Sequence, residues 1–466
     1  MGWYDIAIVG GGFSGVATIA NIVRDATKPL AIAVVSREPR GVFGPAYATP
    51  RDEHLLNVPA ANMGLFADNP RHFFEWVEAQ GITAAPGEYL SRKLYAQYLQ
   101  SVLDTARDTA REKGIRLDWF QGEAEDIEDH AEYLSVRSGG DGIDARVVVL
   151  AIGNALHKGS GGPVIDQPWK FDFKTLSPAQ KKIALIGSGL TAADIIISIL
   201  DTGWQGEITC YSGHAALPRP HLAGYDAAKR VALPPDQFIS QRLSAIMQAL
   251  RREIKSGARE WHYIIDSLRP LTQDIWRSLS ATDRERLVKK YFTLWNIHRH
   301  RYAPHIAERI DAAQKSGQLK MVQARVASAT QTPNGVALEL TTKRGAETAN
   351  GFDLAFRCTG VDYKTENNPL LKNILAKGLA KPSGNDYGIR ASDNMLVYRD
   401  RPCELYALGA PLFGALFETT AVPELRAQAK LISQAFLEDS IASKSRAIGL
   451  DARPHGRSSA SAIDVR

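Results

Sequence analysis

Two glycine-rich turns are the residues of this chain whose types and spacing most directly suggest chemistry. The first turn has Gly10, Gly12 and Gly15 in the pattern G-x-G-x-x-G. Residues 6–9 before it form an apolar run typical of a buried parallel strand, and residues 16–24 after it have helical periodicity. A strand, a glycine turn and a helix start present backbone N–H groups and a positive dipole end to a pyrophosphate. The pattern therefore predicts a dinucleotide site.

The second turn repeats this arrangement in the middle of the chain. Gly187, Gly189 and Ala192 follow an apolar segment at 182–186 and precede a helical pattern at 193–200. G-x-G-x-x-A is an accepted variant of the fingerprint. Two fingerprints, with one near the N-terminus, favour FAD in the first and a nicotinamide in the second. Hydride would then pass from the nicotinamide to the flavin.

The end of the second strand in each unit bears on nucleotide choice, because an acid there usually binds a ribose 2′-hydroxyl. In the first unit this position is Ser36, and Glu38 follows two residues later; either could contact the ribose. In the second unit Ser212 ends the strand without an acid, and Arg219 and His221 lie nearby. Because an acid would repel a 2′-phosphate, its absence favours NADPH and leaves NADH open.

The elements around the turns predict an α/β fold with two Rossmann-like dinucleotide-binding domains and a helical insertion. Strand signals between residues 319 and 358 indicate antiparallel strands, and helices are expected near 235–256, 258–279, 282–299 and 303–316. The expected divisions are an FAD domain over 1–170 and 346–440, an NAD(P)H domain over 178–233 and 318–345, a helical insertion over 234–317 and a flexible tail over 441–466.

A basic cluster ends the third predicted helix of the insertion. Arg299, His300 and Arg301 could bind an anionic substrate or the nicotinamide phosphate. They could equally form a solvated helix end, where cations are favoured by the dipole. His298 and His300 lie two residues apart without a carboxylate or cysteine cluster, so we expect no metal site.

Composition excludes several classes of function. The chain has 466 residues, 44% hydrophobic and 23% charged, with a net charge of +5. That mild charge suits anionic cofactors and small acids and does not indicate nucleic acid. The cysteines Cys210, Cys358 and Cys403 are too few and scattered for a disulfide framework. No apolar run approaches the ~20 residues of a membrane helix. We expect a cytoplasmic protein.

Several longer motifs resemble the FAD/NAD(P)-binding protein family of two-dinucleotide flavoproteins. The resemblance extends to about residue 437. Within this family the chain resembles flavin-dependent N-hydroxylating monooxygenases, including those that oxidise L-aspartate. The ornithine and lysine N-hydroxylases are more distant. Ser36 and the Ser-Gly-His at 212–214 depart from the family pattern. The motifs are the two glycine turns and residues 44–47, 54–60, 62–63, 70–76, 151–154, 217–221, 295–301, 358–360 and 417–426.

The resemblance implies an FAD-dependent NAD(P)H oxidoreductase. It would be a monooxygenase that forms a C4a-peroxyflavin with O₂ and hydroxylates the amine of a small molecule such as an amino acid. Motif position assigns Asn57 to the flavin edge, and Arg299 and Arg301 to substrate or cofactor anions. It assigns Glu418 and Thr419 to the flavin face. With the turns, the cofactor-binding set is Gly10, Gly12, Phe13, Ser14, Gly15, Ser36, Glu38, Asn57, Val58, Ala151, Gly153, Gly187, Ser188, Gly189, Leu190, Thr191, Ser212, Arg219, Gly360, Gly409, Glu418 and Thr419.

Two other functions stay open on the sequence. A pyridine-nucleotide reductase could pass electrons to a partner; a disulfide-reducing version needs a close cysteine pair, and the sequence has none. A non-catalytic nucleotide sensor could keep the fold without turnover, and the altered strand ends at Ser36 and Ser212 favour it. Homo-oligomerisation is also open.

Overall fold

The computed structural model describes residues 3–155, 162–384, 386–400 and 403–450. Its strands, in chain order, are β1 (Tyr4–Val9), β2 (Ala31–Ser36), β3 (Arg116–Gln121), β4 (Asp126–Asp129), β5 (Leu134–Ser138), β6 (Asp141–Leu150), β7 (Val164–Ile165), β8 (Lys182–Ile186), β9 (Glu207–Ser212), β10 (Leu319–Gln323), β11 (Arg325–Thr332), β12 (Gly335–Thr342), β13 (Gly345–Phe352), β14 (Leu354–Arg357), β15 (Leu396–Asp400) and β16 (Cys403–Ala407).

Helices connect and cover these strands. They are α1 (Phe13–Asp25), α2 (His72–Ala79), α3 (Arg92–Glu112), α4 (Leu190–Asp201), α5 (Leu243–Lys255), α6 (Trp261–Ser267), α7 (Thr272–Ser278), α8 (Ala281–Arg286), α9 (Phe292–Arg299), α10 (Pro304–Lys315), α11 (Pro369–Ala376) and α12 (Val422–Leu450). A π-helical turn, Leu287–Tyr291, joins α8 to α9.

The first sheet has the strand order β15-β16-β6-β1-β2-β3. Strands β16, β6, β1, β2 and β3 are parallel, and β4, β5 and β6 form an antiparallel meander at its side. The central strands are continuous apolar runs because helices cover both faces; Ile6, Ile8 and Val148, for example, are fully buried. Helices α1 and α12 pack together over this sheet. The sheet thus places the end of β1 at the start of α1.

The second sheet is wholly parallel, in the order β10-β9-β8-β14-β7. A separate antiparallel sheet, β11-β12-β13, packs beside it. The arrangement repeats that of the first domain: strand, glycine turn, helix and strand, then a helix leading to an outer strand, a meander and a returning central strand. This confirms the predicted fold class of two Rossmann-like domains.

The pairing of the strands corrects the expected division of the chain. β13 and β14 were expected in the returning FAD segment from residue 346, but they pair with β12 and β8 of the second domain. β7 lies inside the expected first segment and pairs with β14. The expectation of antiparallel strands was wrong for β10 and β14, which are parallel to their neighbours. Pairing joins residues distant in sequence, so local patterns do not reveal it.

The helical segment and the C-terminal segment also differ from expectation. The insertion forms a separate core with Phe238 and Trp276, and Phe417 from the C-terminal segment completes it. Its last expected helix, α10, instead packs on α4 and β10 in the second domain through Ile306 and Ile310. Residues 441–450, expected in a flexible tail, continue helix α12, because no proline or glycine interrupts residues 425–448. The rest of that expected tail, 451–466, lies outside the described residues.

No helix among the described residues has the length and apolar character needed to cross a lipid bilayer.

Candidate functional site

The first glycine turn has the geometry of a pyrophosphate-binding loop. Gly10 has a φ of +114°, and its N–H donates to Val35 O at 2.8 Å. A Cβ on Gly10 would lie 2.2 Å from Ala151 O, and one on Gly15 would lie 2.0 Å from Gly10 O. Helix α1 begins after Gly12 without a side-chain cap and without an acidic residue in its first turn. Its first N–H groups are therefore free for an anion, so these residues fit a dinucleotide.

The second glycine turn repeats this geometry. Gly187 has a φ of +108°, and its N–H donates to Tyr211 O at 2.8 Å. A Cβ there would lie 2.4 Å from Cys358 O. Helix α4 begins after Gly189, again without a side-chain cap. Ala151 and Cys358 therefore hold equivalent places at the ends of β6 and β14. A cleft at the second edge is lined by Thr191, Thr359, Gly360 and residues of the 166–169 segment.

The ends of β2 and β9 lie beside these turns. Ser36 is buried, whereas Glu38 is half-buried. The indole of Trp119, from β3, packs against Gly11 and has a buried Nε1 without a hydrogen-bond partner. Sequence reasoning missed Trp119, because only the parallel pairing of β2 with β3 brings it to the turn. At the second turn, the Oγ of Ser212 is buried and also lacks a partner.

The segment after β16, residues 408–419, covers the start of α1 and is called the C-terminal return below. A Cβ on Gly409 would lie 3.9 Å from the Oγ of Ser14. The N–H of Gly409 donates to Gln428 Oε1 at 2.8 Å, and Gln428 Nε2 donates to Thr419 Oγ1 at 2.7 Å. Thr419 is 1% exposed. These bonds fix residues 409–419 against the first dinucleotide turn.

Glu418 fixes the insertion to this return. It has a φ of +54°, a left-handed conformation that is costly for a residue with a side chain. Its carboxylate accepts from Trp295 Nε1 at 2.8 Å and pairs with Arg299 Nε at 3.1 Å. Burial alone would lower the pKa of Arg299, but the carboxylates of Glu418, Asp266 and Glu424 together outweigh it and the pKa is raised. Burial lowers the pKa of His300 to about 4, against the attraction of Glu418.

Arg301 is more deeply buried, with 2% of its surface exposed. Its Nη2 donates to Asp266 Oδ1, while its Nε and Nη1 have no partner. The Oδ1 of Asn296 in the same segment is also buried without a partner. The interpretation of this basic cluster as a solvated helix end is therefore wrong. Buried donors without a protein partner call for an ordered water or a ligand group to complete their hydrogen bonds.

Asn57 connects the loop of the first domain to the second. His221 Nε2 donates to Asn57 O at 2.9 Å, so Nε2 carries the proton. The His221 ring lies 4.9 Å from that of Tyr89. Burial and then the positive charge of Arg301 lower the pKa of His221 to about 4. This side chain thus supports Asn57 and does not point to the nucleotide strand end, where it was expected to help select NADPH.

The structure brings sequence-predicted residues together in three groups. Arg219 belongs to none of them, because it is exposed and its backbone pairs with the insertion at Ile297 and Tyr302. The groups are the first turn with Gly10, Gly12, Phe13, Ser14, Gly15, Ser36, Ala151, Gly153 and Gly409; the second turn with Gly187, Ser188, Gly189, Leu190, Thr191, Ser212 and Gly360; and the junction with Asn57, Val58, Arg299, Arg301, Glu418 and Thr419.

Two buried contacts between the domains were not predicted. Arg92 pairs with Asp194 of α4 at 3.2 Å, with side chains 11% and 12% exposed. His54 Nε2 lies 2.7 Å from Ser198 Oγ, and both residues are fully buried. No signal in the sequence links partners more than 100 residues apart. These contacts hold the loop around Asn57 against α4.

Residues 7–155, which include the first glycine turn, match the family model described as FAD-NAD(P)-binding. Comparison with curated protein sequences finds no significant match.

Solved structures share this architecture over 94% of the chain. Ornithine hydroxylase from Pseudomonas aeruginosa has a TM-score of 0.64 at 17% identity, covering 100% of that chain. Ornithine N-hydroxylase from Kutzneria sp. 744, solved with reduced FAD, NADP⁺ and L-ornithine, has a TM-score of 0.65 at 13% identity, also covering 100%. An FAD-bound cadaverine monooxygenase from Erwinia amylovora has a TM-score of 0.63 at 16% identity, covering 95%.

The fold and the two turns therefore define a protein with two dinucleotide-binding domains. At these identities the likeness is one of fold, and the prediction of a two-dinucleotide architecture is confirmed.

Proposed function

We propose that this chain is an FAD-dependent monooxygenase that uses NADPH and O₂ to hydroxylate the amine of a small molecule such as an amino acid. The observation that carries the proposal is the buried polar junction between the two glycine turns. Asn57 from the first domain, Arg299 and Arg301 from the insertion and Glu418 from the C-terminal return meet there. The neighbouring folds include hydroxylases of ornithine and a monooxygenase of cadaverine.

The residues of each turn fit one cofactor. The turn at Gly10–Gly15 would hold FAD, with Ser36 or Glu38 at the ribose. The turn at Gly187–Thr191 would hold NADPH, with Ser212 at its ribose. When bound, the flavin would supply hydride acceptance and the activation of O₂ at its C4a atom.

The protein would supply positioning and a water-poor junction. The Glu418–Arg299 pair fixes the insertion over the return, which would exclude water from the flavin. The unpartnered N–H groups of Arg301 would donate hydrogen bonds to a substrate carboxylate. His221 and His300 stay neutral near pH 7, so they add no competing positive charge. These features favour an amino acid as substrate.

The product of the reaction tests this proposal. The FAD-loaded protein would be incubated with NADPH, O₂ and one amine at a time, comparing L-aspartate, L-ornithine and L-lysine with cadaverine, which has the lysine skeleton without the carboxylate. We expect a product one oxygen atom heavier from at least one amino acid, and less from cadaverine. Oxidation of NADPH to give only hydrogen peroxide with every amine would contradict oxygen transfer. Failure to oxidise NADPH would favour the nucleotide sensor.

A further inference from the structure

The carboxyl end of β9 is the place where a Rossmann domain distinguishes NADPH from NADH. An acid at this position binds a 2′-hydroxyl, and an arginine nearby accommodates a 2′-phosphate. Here β9 ends at Ser212, followed by Gly213 and His214. No carboxylate lies in this turn, so the choice depends on which cation other elements bring to it.

Strand β10 brings a cationic side chain to this turn. It runs parallel to β9, with Gln323 in register with Ser212. The N–H of Ala324 donates to Ser212 O at 3.1 Å, and Gln323 Nε2 donates to Gly213 O at 2.9 Å. These two bonds fix the next residue, Arg325, beside the turn.

The guanidinium of Arg325 is available for a ligand. Its Nε lies 3.7 Å from the point where a Cβ on Gly213 would be, which places the Arg325 side chain against this turn. Arg325 is exposed, and among the described residues its side chain has no ion pair or hydrogen bond with the protein. The residues of the turn, Ser212, Gly213 and His214, include no carboxylate that could compete with a phosphate for this guanidinium.

We propose that Arg325 binds the 2′-phosphate of NADPH and thereby selects it over NADH. Ser212, whose Oγ is buried without a partner, contacts the adenosine ribose at the same strand end. The inference rests on the proposed function, which assigns the second turn to a nicotinamide nucleotide. It replaces Arg219, whose backbone is tied to the insertion, as the residue that recognises the phosphate.

The interaction is a guanidinium–phosphate pair with two N–H···O bonds. Such charge-assisted bonds are stronger than neutral ones, and the loss of one typically weakens binding about 10- to 100-fold. The loss would be confined to nucleotides with a 2′-phosphate, because the proposed contact is with that group alone.

The test measures binding without turnover. Calorimetric titration of the FAD-loaded protein would compare adenosine 2′,5′-bisphosphate with adenosine 5′-monophosphate, for the wild type, Arg325→Ala, Arg219→Ala and the control Arg251→Ala. Arg251 is an exposed arginine on helix α5, which packs in the core of the helical insertion. We expect Arg325→Ala alone to weaken the bisphosphate about 10- to 100-fold and to leave the monophosphate unchanged.

Three outcomes would overturn the proposal: wild-type protein that binds both nucleotides equally, Arg325→Ala that binds the bisphosphate normally, or a loss that follows Arg219→Ala instead. None of these outcomes bears on whether the chain hydroxylates an amine, because a monooxygenase could use NADH. Conversely, a protein without oxygen transfer could still show the predicted phosphate selectivity.

Discussion

Removal of the Asp266 carboxylate should destabilise the helical insertion strongly. Asp266 lies on α6 and pairs with Arg301, and their side chains are 12% and 2% exposed. In Asp266→Ala, the Arg301 guanidinium would remain buried with no acceptor at all, since its Nε and Nη1 already lack partners. Leaving one charge of a buried pair alone costs about 3–5 kcal/mol. We expect the apparent free energy of unfolding to fall by that amount.

The measurement is denaturant unfolding followed by tryptophan fluorescence, because Trp261 and Trp276 report on the insertion. The matched control is Glu285→Ala, which breaks an exposed pair with Lys289 and should change nothing measurable. A double variant, Asp266→Leu with Arg301→Met, replaces the pair with apolar side chains and should recover most of the loss. A cost below about 1 kcal/mol for Asp266→Ala, or a double variant no better than the single one, would refute the reasoning.

Two further predictions follow from the turns and the buried histidines. Gly15→Ala places a Cβ 2.0 Å from Gly10 O and should therefore release FAD during purification. The control Gly87→Ala, in open space, should retain FAD. The flavin-to-protein absorbance ratio measures the difference, and equal retention in the two variants would contradict the packing argument. His221 and His300 have pKa values of about 4 when folded against about 6.5 when unfolded. The unfolded chain therefore binds more protons in this range, so the stability they contribute is complete above pH 6.5 and is lost as the pH falls toward 4. The loss should be about 2–3 kcal/mol for each by pH 4.5. Unfolding at pH 7 and pH 4.5 would show it, and His221→Gln should reduce the pH dependence; an unchanged dependence would contradict the buried neutral state.

Local patterns were sufficient for the elements that hold the cofactors. The apolar segments at 6–9 and 182–186 agree with β1 and β8, and the helical patterns at 16–24 and 193–200 lie within α1 and α4. They succeed because glycine spacing and apolar runs encode a strand–turn–helix unit within about 30 residues.

Patterns did not reveal which sheet a distant strand joins. β14 has the same apolar character as a strand of either domain, and only its pairing with β8 assigns it to the second. Patterns also did not reveal which side chains pair at the junction. Arg301 stood out in the sequence, whereas its partner Asp266, 35 residues away on another helix, did not. Arg325 was overlooked because its proposed role depends on the register of β10 with β9.

The central claim, that a nicotinamide reduces the flavin and the reduced flavin then transfers oxygen, is tested most directly by stopped-flow spectroscopy. The FAD-loaded protein would be reduced by NADPH, and separately by NADH, without oxygen, and then mixed with oxygenated buffer. We expect faster reduction by NADPH, followed by a long-lived absorbance band of an oxygen adduct at flavin C4a. Reduction followed by immediate return to oxidised flavin, or no reduction by either nucleotide, would contradict the monooxygenase account.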